Sequence, residues 1–201
     1  MSEDLSAPHC PPHPRGHLPR LEATWYQGGA VVFWTHTVAE RRTGWLTPSF
    51  HAAFRELLLH AAARERLFCP IYTLMPDHLH LIWMGTAAAS EQRRATAFLR
   101  TQLKPYLVSA RWQHQPHDHV LRDAERKPGA FDATCAYLAG NPVRASLATS
   151  SEAWPFTGCI VPGYPTLHPL AHGFWDKFWK IHSAALADDL VADDVSRRMD
   201  R

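Results

Sequence analysis

Hydrophobic positions along this chain follow two rhythms, and the switches between them predict its elements. Residues 30–38 are dense in β-branched and aromatic side chains and follow the Gly28-Gly29 turn, which predicts a strand. Thr47 and Pro48 then supply an N-cap and the residue best suited to the first helical position. Phe50, Phe54, Leu57, Leu58 and Ala61 recur at helical spacing, so an amphipathic helix should run to about Leu67. Residues 68–74 and 78–84 are apolar runs separated by the turn Met75-Pro76-Asp77, a hairpin. Helical spacing returns at Phe98, Leu99, Leu103 and Leu107 within a helix over about 91–106. His119–Arg122 reads as the next strand, after poor strand formers at 113–116. A further helix opens at Pro128 or Gly129 and reaches about Gly140, where Asn141-Pro142 stops or kinks it. Phe174–Trp179 reads as a short aromatic helix packed on the domain.

The order strand–helix–strand–strand–helix–strand is the split-βαβ pattern. It predicts an α+β, ferredoxin-like antiparallel sheet with helices packed on one face, leaving sheet surface or edge free for chemistry. The 201 residues fit one domain with tails. We divide them into a flexible Pro/His-rich arm at 1–20, a main domain at 21–157, and an aromatic extension at 158–201 with an acidic tail at Asp188, Asp189, Asp193 and Asp194.

Composition narrows the class. The longest apolar runs are far too short to span a bilayer, and Met1-Ser-Glu-Asp does not begin a secretory signal. The expectation is a cytoplasmic protein without membrane contact. The four cysteines, Cys10, Cys69, Cys135 and Cys159, form no CxxC pair, so they read as buried or idle thiols. Net charge is only +2, but its distribution is uneven. Arg93, Arg94, Arg100, Lys104 and Arg111 cluster in one region, Arg41 and Arg42 in another. With Arg122, the first group forms the candidate DNA-contacting set.

His78, Leu79 and His80 carry the strongest chemical signal. Alternation along a strand points both imidazoles the same way and sends Leu79 into the core behind them. Two imidazoles on a rigid element make a half-site for a divalent metal. Downstream, Tyr137 and Asn141 lie four apart on a helix and so share a face. A phenol can attack phosphorus and later be displaced, and Asn141 can complete a three-ligand site open to phosphate oxygens. Mixed N/O ligation fits Mg²⁺ or Mn²⁺. Asn141 reads equally well as a helix C-cap before proline.

The segment 75–83, Met-Pro-Asp-His-Leu-His-Leu-Ile-Trp, resembles the HUH motif of single-tyrosine transposases. Residues 137–145, Tyr-Leu-Ala-Gly-Asn-Pro-Val-Arg-Ala, are similar to their Tyr-x-x-x-Asn-Pro-Val-(Lys/Arg) helix. Trp112-Gln113 with Asp118-His119-Val120-Leu121-Arg122, and Trp154-Pro155-Phe156, resemble two further elements. Order and spacing match the REP-associated tyrosine transposases over roughly residues 25–157. The resemblance implies a catalytic domain that binds single-stranded DNA hairpins of repetitive extragenic palindromes (REP) as a monomer or homodimer. It implies cleavage beside them with a divalent metal, leaving a 5′-phosphotyrosine and a free 3′-hydroxyl. His78, His80 and Asn141 would be the ligands and Tyr137 the nucleophile. Gly140 departs from the pattern, which usually has a larger residue there, and should loosen the helix end. Asp118, His119 and Arg122 would brace the site or meet phosphate, with bracing favoured for Asp118. Two other classes fit fewer residues: a hairpin-binding protein that no longer cuts, and a small-molecule metallohydrolase using the His pair.

Overall fold

The computed structural model describes residues 20–199, so most of the predicted arm at 1–20, with Cys10, lies outside the described residues. Five strands form one antiparallel sheet in the order β4-β1-β3-β2-β5. They are β1 (Val31–Thr37), β2 (Leu67–Met75), β3 (His78–Gly85), β4 (His117–Val120) and β5 (Thr157–Ile160). The helices are α1 (Pro48–Arg64), α2 (Gln92–Leu103), α3 (Pro128–Ala139), α4 (Asn141–Arg144) and α5 (Phe174–Met199). The first four strands with α1 and α2 make the expected ferredoxin-like unit.

Local chemistry sets the boundaries. The Thr47 hydroxyl accepts from Phe50 N and caps α1 ahead of Pro48. Helix α1 ends at Arg64 rather than Leu67, because Arg66 turns into the left-handed region at φ +50° and Leu67 already pairs with Gly85. Strand β4 begins two residues earlier than expected. Its pairing with β1, from Thr35↔His117 to Val32↔Val120, outweighs the poor strand propensity of its residues.

Alternation on β3 divides two cores. Leu79, Leu81 and Trp83 face the layer of α1 and α2, packing with Phe54, Leu58, Leu99 and Leu103. Ile82 and Met84 face the other way, toward Phe131, Cys135 and Leu138 of α3 and Phe174 and Phe178 of α5. The outer edge of β4 borders an open cleft, but helices thus pack on both faces of the sheet rather than one. The reason is α5: the predicted six-residue aromatic segment is the start of a 26-residue helix. Asp189 is part of that helix, where it pairs with Arg66 at 2.9 Å and accepts from Ala88 N at 3.0 Å. The boundary drawn after residue 157 falls inside β5, which pairs with β2 through Tyr72↔Gly158 and Thr73↔Thr157. Four residues including a glycine gave no strand signal. Cys69, Cys135 and Cys159 are free and buried, and burial raises all three thiol pKa values. Among the described residues, no helix is long and apolar enough to cross a membrane.

Candidate active site

Strand β3 lies between β1 and β2, paired on both edges. His78 and His80 stand on its α3-facing side. Their ring centroids are 4.6 Å apart at 79°, and their Nε2 atoms approach to 3.0 Å. Each Nδ1 is held from behind. His78 Nδ1 lies 2.5 Å from Asp77 Oδ1, and Arg41 donates to the other Asp77 oxygen at 3.0 Å. Burial alone would raise the Asp77 carboxyl, but the bond from His78 and the charges of His78 and Arg41 hold it below its ordinary value. His80 Nδ1 lies 2.9 Å from Thr35 Oγ1, and Phe33 packs against its ring at 5.2 Å. Both partners come from β1, where register places Thr35 opposite His80. Burial, then the neighbouring His78 and Arg41, push His80 down to about 3, so its ring is neutral at pH 7.

This arrangement constrains proton positions. A carboxylate only accepts, so Asp77 favours a His78 proton on Nδ1, and of the two neutral tautomers the one whose Nε2 carries the lone pair. The Thr35 hydroxyl rotates and serves either tautomer of His80. It donates to Nδ1 while His80 Nε2–H donates to His78, or accepts from Nδ1–H when both Nε2 lone pairs face a cation. Carboxylate and hydroxyl groups behind two converging imidazoles are the outer contacts that orient metal-bound histidine.

Tyr137, Asn141 and Arg144 follow at i, i+4 and i+7 across α3 and α4, a stripe beside the face that buries Phe131, Cys135, Leu138 and Pro142. Gly140 is the C-cap of α3 at φ −79°, ψ −7°, its N–H donating to Ala136 O, and the helix is interrupted there before α4. Pro142 makes the break, since it cannot donate backward. Tyr137 is 58% exposed. The Arg144 guanidinium lies over its ring, 3.8 Å from the centroid. Arg144 Nη2 donates to Tyr137 O at 2.5 Å and to Asn141 Oδ1. Asn141 opens α4 and is not a C-cap. Its Nδ2 is buried with no hydrogen-bond partner among the described residues. Arg144 is the last of the charges that depress the His80 pKa, after His78 and Arg41.

The donor types suit a divalent ion with open positions: two oriented imidazoles on β3 and, on α4, a carboxamide oxygen. Among the described residues, no three His, Cys, Asp or Glu side chains form a metal-holding group. A third protein ligand would have to be a weaker donor, such as Asn141.

The basic residues do not gather there. Arg93, Arg94 and Arg100 ride on α2, which packs on the opposite face of the sheet. Arg94 pairs with Glu65 at 2.9 Å. Arg100 Nη2 donates to the carbonyls of Gln113 and His114, and burial lowers its pKa to about 10. It secures a loop. Lys104 is exposed, and Arg111 reaches Glu40 only at 3.4 Å. Arg122 is exposed and lines a cleft of about 1360 Å³ along the outer edge of β4, with Arg20, Trp25, His117 and Arg126. Within it, Asp118 accepts from Tyr26 at 2.5 Å and faces Arg20 at 3.9 Å, a bracing role.

Sequence reading missed Thr35, the orienting part of Asp77, and Arg144. Asp77 could have been found as a carboxylate adjacent to a candidate ligand. Thr35 needed the register of β1 against β3.

No family model matches the chain, and no curated protein matches it. A solved structure of a REP-associated tyrosine transposase bound to a REP hairpin is similar in fold, with a TM-score of 0.59 and 19% identity. The match covers 71% of this chain and 81% of that one. At this identity the likeness speaks for the fold.

Proposed function

We propose that the protein is a metal-assisted, tyrosine-dependent endonuclease and strand transferase for single-stranded DNA, acting beside hairpins of REP type in the cytoplasm. One observation supports this above the rest. Two oriented imidazoles bring their Nε2 atoms within 3.0 Å on the central strand, facing the layer that presents an exposed tyrosine. The solved structure that shares the fold holds a REP hairpin, which supports the substrate class.

His78 and His80, with Asn141, would hold Mg²⁺ or Mn²⁺. When bound, such an ion neutralises non-bridging phosphate oxygens and sharpens the electrophilicity of phosphorus. The chain's own residues do the rest. The Tyr137 phenolic oxygen attacks phosphorus in line, and its proton passes to water. The new O–P bond forms as the bond to the 3′-oxygen breaks, and that oxygen takes a proton from water and leaves as a hydroxyl. The 5′-phosphoryl group stays on Tyr137 until a strand's 3′-hydroxyl displaces the phenol. Asp77 and Thr35 keep the imidazoles aimed throughout. Lys104, Arg111 and Arg122 are exposed and would meet phosphates of a longer substrate, whereas Arg94 and Arg100 are engaged within the fold.

A labelled hairpin oligonucleotide with Mn²⁺ tests the reading. Wild type and Tyr106→Phe give a denaturation-resistant protein–DNA band, and Tyr137→Phe gives none. A band that survives in Tyr137→Phe refutes the nucleophile. A second reading, hairpin binding without cleavage, draws on the hydrogen bond that engages Asn141 Oδ1 with Arg144. Tight binding with no band in wild type favours it.

A further inference from the structure

Arg144 holds three things at once: the ring of Tyr137, the carbonyl of Tyr137, and the Asn141 side-chain oxygen. All three partners are neutral. Among the described residues, no carboxylate pairs with this guanidinium. It lies in a notch that Gly140 leaves open, since a Cβ there would fall 2.8 Å from Arg144 Nη1. A larger residue would push the arginine off its shelf. The only side-chain oxygen that Asn141 can offer a cation is the one Arg144 engages, and the amide nitrogen beside it has no partner among the described residues.

We propose that Arg144 is a gate on the third ligand position, opened by a DNA phosphodiester. This rests on the reading of His78, His80 and Asn141 as metal ligands. In the DNA-free protein the guanidinium engages Asn141 Oδ1 and covers the nucleophile's ring. A phosphate offers the same fork two charged oxygens, and charge-assisted pairs of that kind are roughly twice as strong as bonds to neutral carbonyls. The phosphate draws Arg144 away, freeing the Asn141 oxygen and the phenol together. Metal and DNA binding are therefore coupled through this residue. Arg144 acts through Asn141 as a positioning residue.

The test is Mn²⁺ affinity, read by electron paramagnetic resonance without turnover. Removing a nearby cation favours Mn²⁺ by charge alone, so Arg144→Ala is measured both in wild type and in Asn141→Ala. The gate predicts roughly ten-fold tighter DNA-free binding for Arg144→Ala, a coupling of ordinary allosteric size. It predicts a much smaller gain in the Asn141→Ala background. Gly140→Ala, which displaces the guanidinium but keeps its charge, should tighten Mn²⁺ binding in the same direction. A hairpin oligonucleotide, tested in Tyr137→Phe to prevent cleavage, should raise Mn²⁺ affinity when Arg144 is present and much less when it is Ala. An equal gain in both backgrounds, or none, overturns the gate while leaving the metal ligands in place. No Mn²⁺ binding by any variant, with or without DNA, overturns both the metal reading and the gate. Coupling without a covalent band leaves the gate standing and removes the cleavage reading.

Discussion

Replacing Asp77 with Asn keeps the side chain's shape and removes its charge. The carboxylate oxygen 2.5 Å from His78 Nδ1 can only accept, which favours the His78 tautomer with its lone pair on Nε2. An amide can donate instead. Its NH₂ group would satisfy an unprotonated Nδ1 and stabilise the tautomer with its proton on Nε2, which has nothing to offer a cation. Two magnitudes then separate. Arg41, the other partner of Asp77, is 61% exposed, so losing that surface pair costs at most about 1 kcal/mol of stability. Losing an outer contact to a metal-bound histidine typically weakens affinity by roughly 10–100-fold, or about 1.4–2.7 kcal/mol. Mn²⁺ titration should therefore move strongly while the urea midpoint barely shifts. Thr35→Val should weaken binding in the same direction but less, because a hydroxyl serves both tautomers. Wild-type Mn²⁺ affinity in Asp77→Asn would refute the argument that the carboxylate sets the tautomer.

Gly85→Ala should cost about 3 kcal/mol, because its Cβ would meet the Gly28 carbonyl oxygen at 1.7 Å, a backbone atom that cannot swing aside. Gly29→Ala, with nothing within 4 Å, should stay within about 1 kcal/mol of wild type; equal urea midpoints for the two variants would contradict the steric contrast. Tyr72 places its hydroxyl 3.0 Å from His51 Nε2 and accepts from Arg55 at 2.6 Å. Tyr72→Phe should cost about 1 kcal/mol through those abandoned partners, and an unchanged melting curve would count against the network. His36 is fully buried, and burial, then the charge of Arg100, holds its pKa well below 6.5. The unfolded chain takes up that proton first, so stability is full above about pH 6.5 and falls as pH drops. His51, lowered to about 4 mainly by burial, adds to the loss over the same acid range. His36→Phe should flatten the decline between about pH 6.5 and 5, and an identical slope would show that His36 does not drive it.

The alternating apolar runs and the Thr47-Pro48 cap made the ferredoxin-like core legible, because those signals are local. The side on which His78 and His80 project was legible for the same reason, since a period of two needs no partner. What the sequence did not disclose depends on pairing at a distance. Strand β5 has four residues and a glycine, and only its ladder with β2 defines it. Most of α5 lacks a strong apolar stripe, and its placement follows from Phe174 and Phe178 meeting Phe68 and Ile82 across the sheet. The α2 arginines looked like one basic surface because they are neighbours in sequence. Leu99 and Leu103 commit α2 to the face away from the histidines, so proximity along the chain misled there. Gly140 read as a weak point in the helix; α3 does end there, and the missing Cβ also makes room for Arg144.

Strand β3 is the middle of five, bonded along both sides and roofed by helices above and below. Its amides should exchange with deuterium only when the whole molecule opens. The imidazoles ride on that ribbon, whereas the phenol rides on a helix packed against it. Amides flanking His78 and His80 should therefore outlast those around Tyr137 in an exchange time course.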